Sequence, residues 1–156
     1  MYPNHLNIML IRTALPADVP ALFDVRTSVH ENHMSMAELA DIGVTPETLP
    51  EMLSGNGRGW VAELEGEIVA FAMADANDAT VFAMFVRPDQ EGKGLGRLLM
   101  TEAQRWLFER GCDEIWLVTD HDRAVRANGF YRHIGWQEAG REEDGQARFI
   151  KRRDTR

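Results

Sequence analysis

Val86-Arg87-Pro88-Asp89-Gln90-Glu91-Gly92-Lys93-Gly94-Leu95-Gly96-Arg97 is the stretch on which the reading of this 156-residue chain turns. Upstream of it, Ala79 to Arg87 has the apolar and aromatic character of a strand, closed by Pro88. Downstream, Leu95, Leu98, Leu99, Ala103, Trp106 and Leu107 recur at helical spacing, which predicts a long amphipathic helix from Leu95 to Arg110 with Gly111 as its stop. Between the two, three glycines at alternate positions remove Cβ atoms where the chain must turn sharply and come close to a ligand. The first-turn N–H groups of a helix opening near Gly94 have no intrahelical acceptor and lie at the positive end of the dipole. A pyrophosphate fits such a place, with Lys93 and Arg97 adding diffuse positive charge. A plain strand-to-helix turn is satisfied by one or two glycines; three, with a long helix behind them, favour an anion cradle.

Two common phosphate loops do not fit. The Walker loop needs Ser or Thr after its lysine to reach Mg²⁺, whereas Lys93 is followed by Gly94. The dinucleotide fingerprint is spaced Gly-x-Gly-x-x-Gly, but the spacing here is Gly-x-Gly-x-Gly, and roughly ninety residues precede the loop instead of one opening strand.

Working outward, Asn7 to Arg12 reads as a first strand. A helix then opens at Pro16-Ala17-Asp18, with Asp18 as N-cap, and runs to about Glu31. Ser35 to Ile42 is a short helix stopped by Gly43. Thr45 to Leu53 is another of one or two turns, capped by Thr45 and shortened by Pro50. Gly59 to Glu63 and Glu67 to Ala74 form a hairpin about Glu65-Gly66. Glu114 to Thr119 is a strand and Arg123 to Ile134 a helix, before a closing pair of strands, Trp136 to Ala139 and Ala147 to Arg152. The order β-α-α-α-β-β-β-α-β-α-β-β predicts a mixed α/β architecture in one domain spanning residues 1–156, its central sheet flanked by helices.

The central loop, with Val86-Arg87-Pro88 before it and Glu91-Gly92-Lys93-Gly94-Leu95-Gly96 within it, resembles the acyl-CoA motif of the GNAT superfamily of N-acetyltransferases. A second stretch, Arg126-Ala127-Asn128-Gly129-Phe130-Tyr131-Arg132-His133-Ile134-Gly135-Trp136, is similar to that family's downstream motif. The resemblance spans most of residues 59–152 and implies a mixed, mostly antiparallel sheet with acetyl-CoA as co-substrate. It implies that the strand before the loop splays from its neighbour. Backbone groups of Phe85 and Val86 would then bond the pantetheine arm or the thioester carbonyl, and the amides of Gly92, Lys93, Gly94, Leu95, Gly96 and Arg97 would take the pyrophosphate. Tyr131 matches the general acid that protonates the departing thiolate; otherwise it is an amphipathic residue ending a core helix. Glu91 stands where the family has Gln or Arg, and Ala124 where it often has an asparagine, which leaves Asn128 as the pantetheine candidate. These two departures also suit a non-catalytic acyl-CoA-binding or regulatory module.

The general base is not fixed by sequence: Asp75, Asp78, Asp120 and His121 are candidates, each equally suited to a turn. His30 and His33 lack a third ligand, so no metal site is expected. Met34, Met36, Met52 and Met84 suit either core packing or an adaptable pocket wall. Cys112, the lone cysteine, reads as a small buried residue and forms no internal disulfide. Twenty-five acidic against seventeen basic residues give a net charge of −8, which repels phosphate backbones and favours a cationic or neutral small amine over nucleic acid. The longest apolar stretch, Ile68 to Ala74, is far short of a membrane span, and no secretory signal stands at the start. A cytoplasmic protein is expected, with the last strands as a contact for a homodimer.

Overall fold

Glu65 and Gly66 both take positive φ, 54° and 84°, the pair of left-handed residues that a two-residue hairpin of this twist demands. They join β2 (Gly57–Leu64) to β3 (Glu67–Asp75), as the sequence predicts. The computed structural model describes residues 9–30, 33–119, 126–143 and 145–154 of the chain, without the side chains of 126–128. Around the hairpin stand β1 (Met9–Thr13), β4 (Thr80–Val86), β5 (Glu114–Thr119), β6 (Gln137–Arg141) and β7 (Ala147–Arg152). They form one seven-stranded sheet in the order β1-β2-β3-β4-β5-β7-β6. Every neighbouring pair is antiparallel except β4 and β5, so the expected mixed, mostly antiparallel sheet is observed.

Side-chain alternation sorts the core into two layers. Trp60, Ala62, Ala70, Ala72 and Ala74 face one way and pack with Leu99, Ala103 and Leu107 of α3 (Leu95–Glu109). The alanines let that helix lie close to the sheet. Val61, Phe71 and Met73 face the other way, against Leu22, Phe23 and Val25 of α1 (Val19–Ser28) and Leu39 of α2 (Met36–Asp41). α4 (Arg126–His133) lies on the α3 side, where Tyr131 joins that layer.

Local chemistry shifts several boundaries. Asp18 stands at the N-cap of α1, but its side chain makes no capping bond to that helix. Its carboxylate instead accepts from the Leu15 N–H (2.7 Å) and from both terminal nitrogens of Arg12 (2.8 and 3.0 Å), closing a 3-10 turn over Pro16–Asp18. α1 ends at Ser28, short of Glu31, because Val29 turns extended. Ser35 and Glu38 form the reciprocal capping pair that starts α2. Thr45 accepts from the Thr48 N–H at 3.1 Å as a cap should. Pro50 nevertheless restricts the next residues to a 3-10 segment, Leu49–Leu53. On α3 the buried positions include Met100 and exclude Leu98, which is 39% exposed and so does not belong to the predicted core face.

One irregularity matters for function. β3 and β4 pair Met73 with Ala83 and Ala74 with Val81, leaving Phe82 as an extra residue in β4. Such a bulge bends its strand and sharpens the local twist.

Candidate functional site

β4 and β5 touch through a single bridge, Thr80 opposite Trp116. Three bonds pin it: the Trp116 N–H donates to Ala79 O (3.0 Å), the buried Thr80 hydroxyl to Trp116 O (2.8 Å), and the Trp116 indole N–H to Asp78 O (2.8 Å). Immediately beyond it comes the Phe82 bulge, and the strands part. From there β4 is laddered to β3 alone and β5 to β7 alone among the described residues.

The register says which backbone groups face the gap. In an antiparallel pair, residues alternate between exchanging hydrogen bonds with the partner and turning their groups away. Arg87 donates to Val69 O at 2.9 Å, so Arg87, Phe85 and Ala83 address β3. Met84 and Val86 turn their N–H and C=O toward the gap. The expected pair is therefore divided: Val86 presents backbone groups to the opening, whereas those of Phe85 are directed at β3. The sequence reading gives Met84 only as core packing or pocket wall; that its backbone faces the gap follows from counting back two positions from Val86.

The gap opens into a cavity of about 1230 Å³. One half is bounded by Met84, Val86, the loop from Gly92, and the start of α3. Gly92 and Gly94 both have φ of 82°, and a Cβ at either would meet nothing within 4 Å. Their role is thus conformational, and the space above them is open. Gly94 is the left-handed N-cap of α3 and offers no side chain. The first helical bond is Leu98 N–H to Gly94 O at 3.2 Å, so the amides of Leu95, Gly96 and Arg97 have no acceptor inside the helix. Gly96 answers to packing instead, since a Cβ there would lie 3.2 Å from Met84 Cε and 3.4 Å from the Phe130 ring.

Gly92, Gly94, Leu95, Gly96, Arg97, Phe85, Val86 and Tyr131 all line this cavity. Lys93 does not: its ammonium donates to Oε1 of Gln90, itself a lining residue, at 2.7 Å. Glu91 lines the cavity with its side chain exposed. Tyr131 is 6% exposed and packs among the rings of Phe130, Trp136 and Phe149 at centroid distances of 5.2, 6.2 and 5.9 Å. Burial pushes its phenol well above the ordinary tyrosine range. Asn128 falls among the side chains outside the described set.

The candidate bases fare unevenly. Asp75 accepts from the Asn77 N–H at 2.8 Å in the β3–β4 turn, at the closed end of the gap, and neither it nor Asp78 lines the cavity. Asp120 and His121 lie outside the described residues. Of the histidines, His30 and His133 line the cavity, while His33, its Nδ1 2.9 Å from Val29 O, is not among the lining residues. Of the methionines singled out, Met34, Met52 and Met84 form cavity wall, and Met36 is 46% exposed elsewhere. Cys112 is half-buried, and burial raises its thiol above the ordinary range, so it stays protonated. Among the described residues no cluster of three His, Cys, Asp or Glu could hold a metal, and no helix is long and apolar enough to cross a membrane.

This chain is similar to several known proteins. An acetyltransferase of Pectobacterium atrosepticum is 34% identical over 81 residues, covering 49% of this chain and 55% of that protein, so the match spans about half of the relative. The PaiA N-acetyltransferase of Thermoplasma acidophilum, solved in complex with coenzyme A, superposes with a TM-score of 0.80 at 16% identity, over 94% of this chain and 99% of the other. The ribosomal-protein-S18-alanine N-acetyltransferase of Escherichia coli gives 0.70 at 24% identity, over 92% and 91%. At these identities the two structures speak for the fold. The profile of the acetyltransferase (GNAT) family matches residues 24–136, more than two thirds of the sequence, and the chain belongs to that family.

Proposed function

We propose that this chain, acting as one domain, transfers acetyl from acetyl-CoA to a primary amine by direct attack. The observation that carries this reading is the parting of β4 from β5 beside the bare first-turn amides of α3. A pantetheine arm carries amides of its own. Backbone groups of Met84 and Val86 would meet them as a missing strand would, and one N–H would face the thioester oxygen where charge develops. The amides from Gly92 to Arg97 would receive the pyrophosphate, with Arg97 as nearby positive charge. Asn128 stands as a further pantetheine contact.

In the reaction a C–N bond forms from the amine to the carbonyl carbon and the C–S bond breaks. The nitrogen gives up one proton to water, the departing thiolate takes one from Tyr131, and the tyrosinate is reprotonated from solvent. Burial keeps the phenol protonated, and because the same burial opposes loss of that proton, the transfer needs the thiolate held close to the hydroxyl. The edge strand β6, beside β7, supports contact between two copies, and a cytoplasmic setting is part of the same reading.

Calorimetry with coenzyme A and thiol release from acetyl-CoA across an amine panel test it together. Heat on binding and amine-dependent thiol release are the expected results. Binding without turnover on any amine would make the chain an acyl-CoA-binding module, and absence of heat would remove the donor site altogether.

A further inference from the structure

The cavity has a second half, across β4 from the glycine loop, and its walls differ in kind. Leu22 and Phe23 of α1, Val44 and Leu49 of the segment after α2, and Phe71 and Met73 of β3 all face it. Met34 and Met52 add unbranched side chains that adapt to the shape of an apolar guest. Arg26, whose guanidinium lies 4.2 Å above the ring of Phe85, and His30 bring polar groups to these walls. At the rim, Phe82 and Ile42 are 45% and 64% exposed, so the apolar surface continues to the mouth.

We infer that the acceptor is a small amine with an apolar aliphatic or aromatic body and at most one positive charge, held in this chamber by its carbon skeleton. The inference rests on the acetyl-transfer reading and specifies its substrate. A polyamine or aminosugar would have to leave several ammonium groups desolvated among aliphatic walls, which is unfavourable. A peptide would leave backbone amides facing the same walls without partners. An apolar monoamine brings one nitrogen to the thioester and loses only apolar surface to the chamber. The net charge of −8 draws cations toward the molecule as a whole, but the side chains that meet the acceptor decide selection at close range. The same walls assist the chemistry, since an ammonium among them sheds its proton more readily and arrives as the nucleophile.

The test is kcat/KM with saturating acetyl-CoA for phenethylamine, hexylamine, spermidine and an unblocked tripeptide, with products identified by mass. The two apolar amines are expected to exceed the others at least about tenfold, as hydrophobic discrimination commonly allows. Val44→Asp puts a carboxylate into the chamber and should raise KM for phenethylamine by a similar factor while the heat of coenzyme A binding persists. Met52→Ala, a milder change, should raise it less. Preference for spermidine or the tripeptide, or an unchanged KM in Val44→Asp with coenzyme A still bound, overturns the inference alone. Loss of coenzyme A binding by the unmodified protein overturns the donor site, and this inference with it.

Discussion

Tyr131 combines two properties that one substitution can separate. Its hydroxyl is buried without a hydrogen-bond partner among the described residues, and its ring is part of an aromatic cluster. Tyr131→Phe keeps the ring, so stability should change by no more than about 1 kcal/mol in urea unfolding. Coenzyme A affinity should hold, and turnover should fall by roughly 10²-fold or more if the phenol supplies the proton. Because burial raises the folded-state pKa above the unfolded value of about 10, the tyrosine costs nothing below that pH. Stability is then lost as pH climbs from there toward the folded value, and the Phe variant should escape that loss. Gly94 is a different case, a residue chosen for its backbone. With φ of 82° and no atom within 4 Å of a notional Cβ, Gly94→Ala should cost about 1–2 kcal/mol of strain without a clash. The accompanying drop in coenzyme A affinity, read by calorimetry, would exceed that strain if the space above the loop holds phosphate.

At the level of elements, legibility tracks how local the signal is. The strand Glu114–Thr119 emerges with its expected limits, and the Glu65-Gly66 hairpin and the short helix before Gly43 emerge within two residues of theirs, because a few adjacent residues determine them. The loop opening α3 is likewise readable, since three glycines and a helix stripe are enough to foresee bare amides. Asp18 misleads because a carboxylate before a helix has two outlets, its own helix or a distant cation, and Arg12 of β1 lies within reach only once the chain has folded. The bulge at Phe82 is invisible in the sequence, as it depends on pairing with β3. The Arg12–Asp18 pair invites its own test. Its carboxylate is 11% exposed, and the guanidinium holds it below the usual range. The stabilisation is therefore present above the unfolded value near 3.9 and disappears as pH falls through the lower folded one. Asp18→Asn should lose about 1–3 kcal/mol in urea unfolding at pH 7, a charge-assisted bond being at stake, and much less near pH 2.

For the molecule as a whole, the two faces of the sheet carry different duties, and β4 serves both. Val81, Met84 and Val86 belong to the α3 layer, while Ala83 and Phe85 belong to the α1 layer. A regular strand would send Val81 and Ala83 to the same side; the surplus phenylalanine between them is what breaks that rule. Excising Phe82 would therefore leave each remaining residue on the face that it now occupies, while relieving the kink that steers the strand away from β5. The shortened protein should fold, with near-native circular dichroism and a cooperative melt, yet its seam would be free to knit shut and coenzyme A should give no heat. A catalyst would thus revert to an ordinary folded sheet by forfeiting one amino acid that belongs neither to the glycine loop nor to the tyrosine's helix.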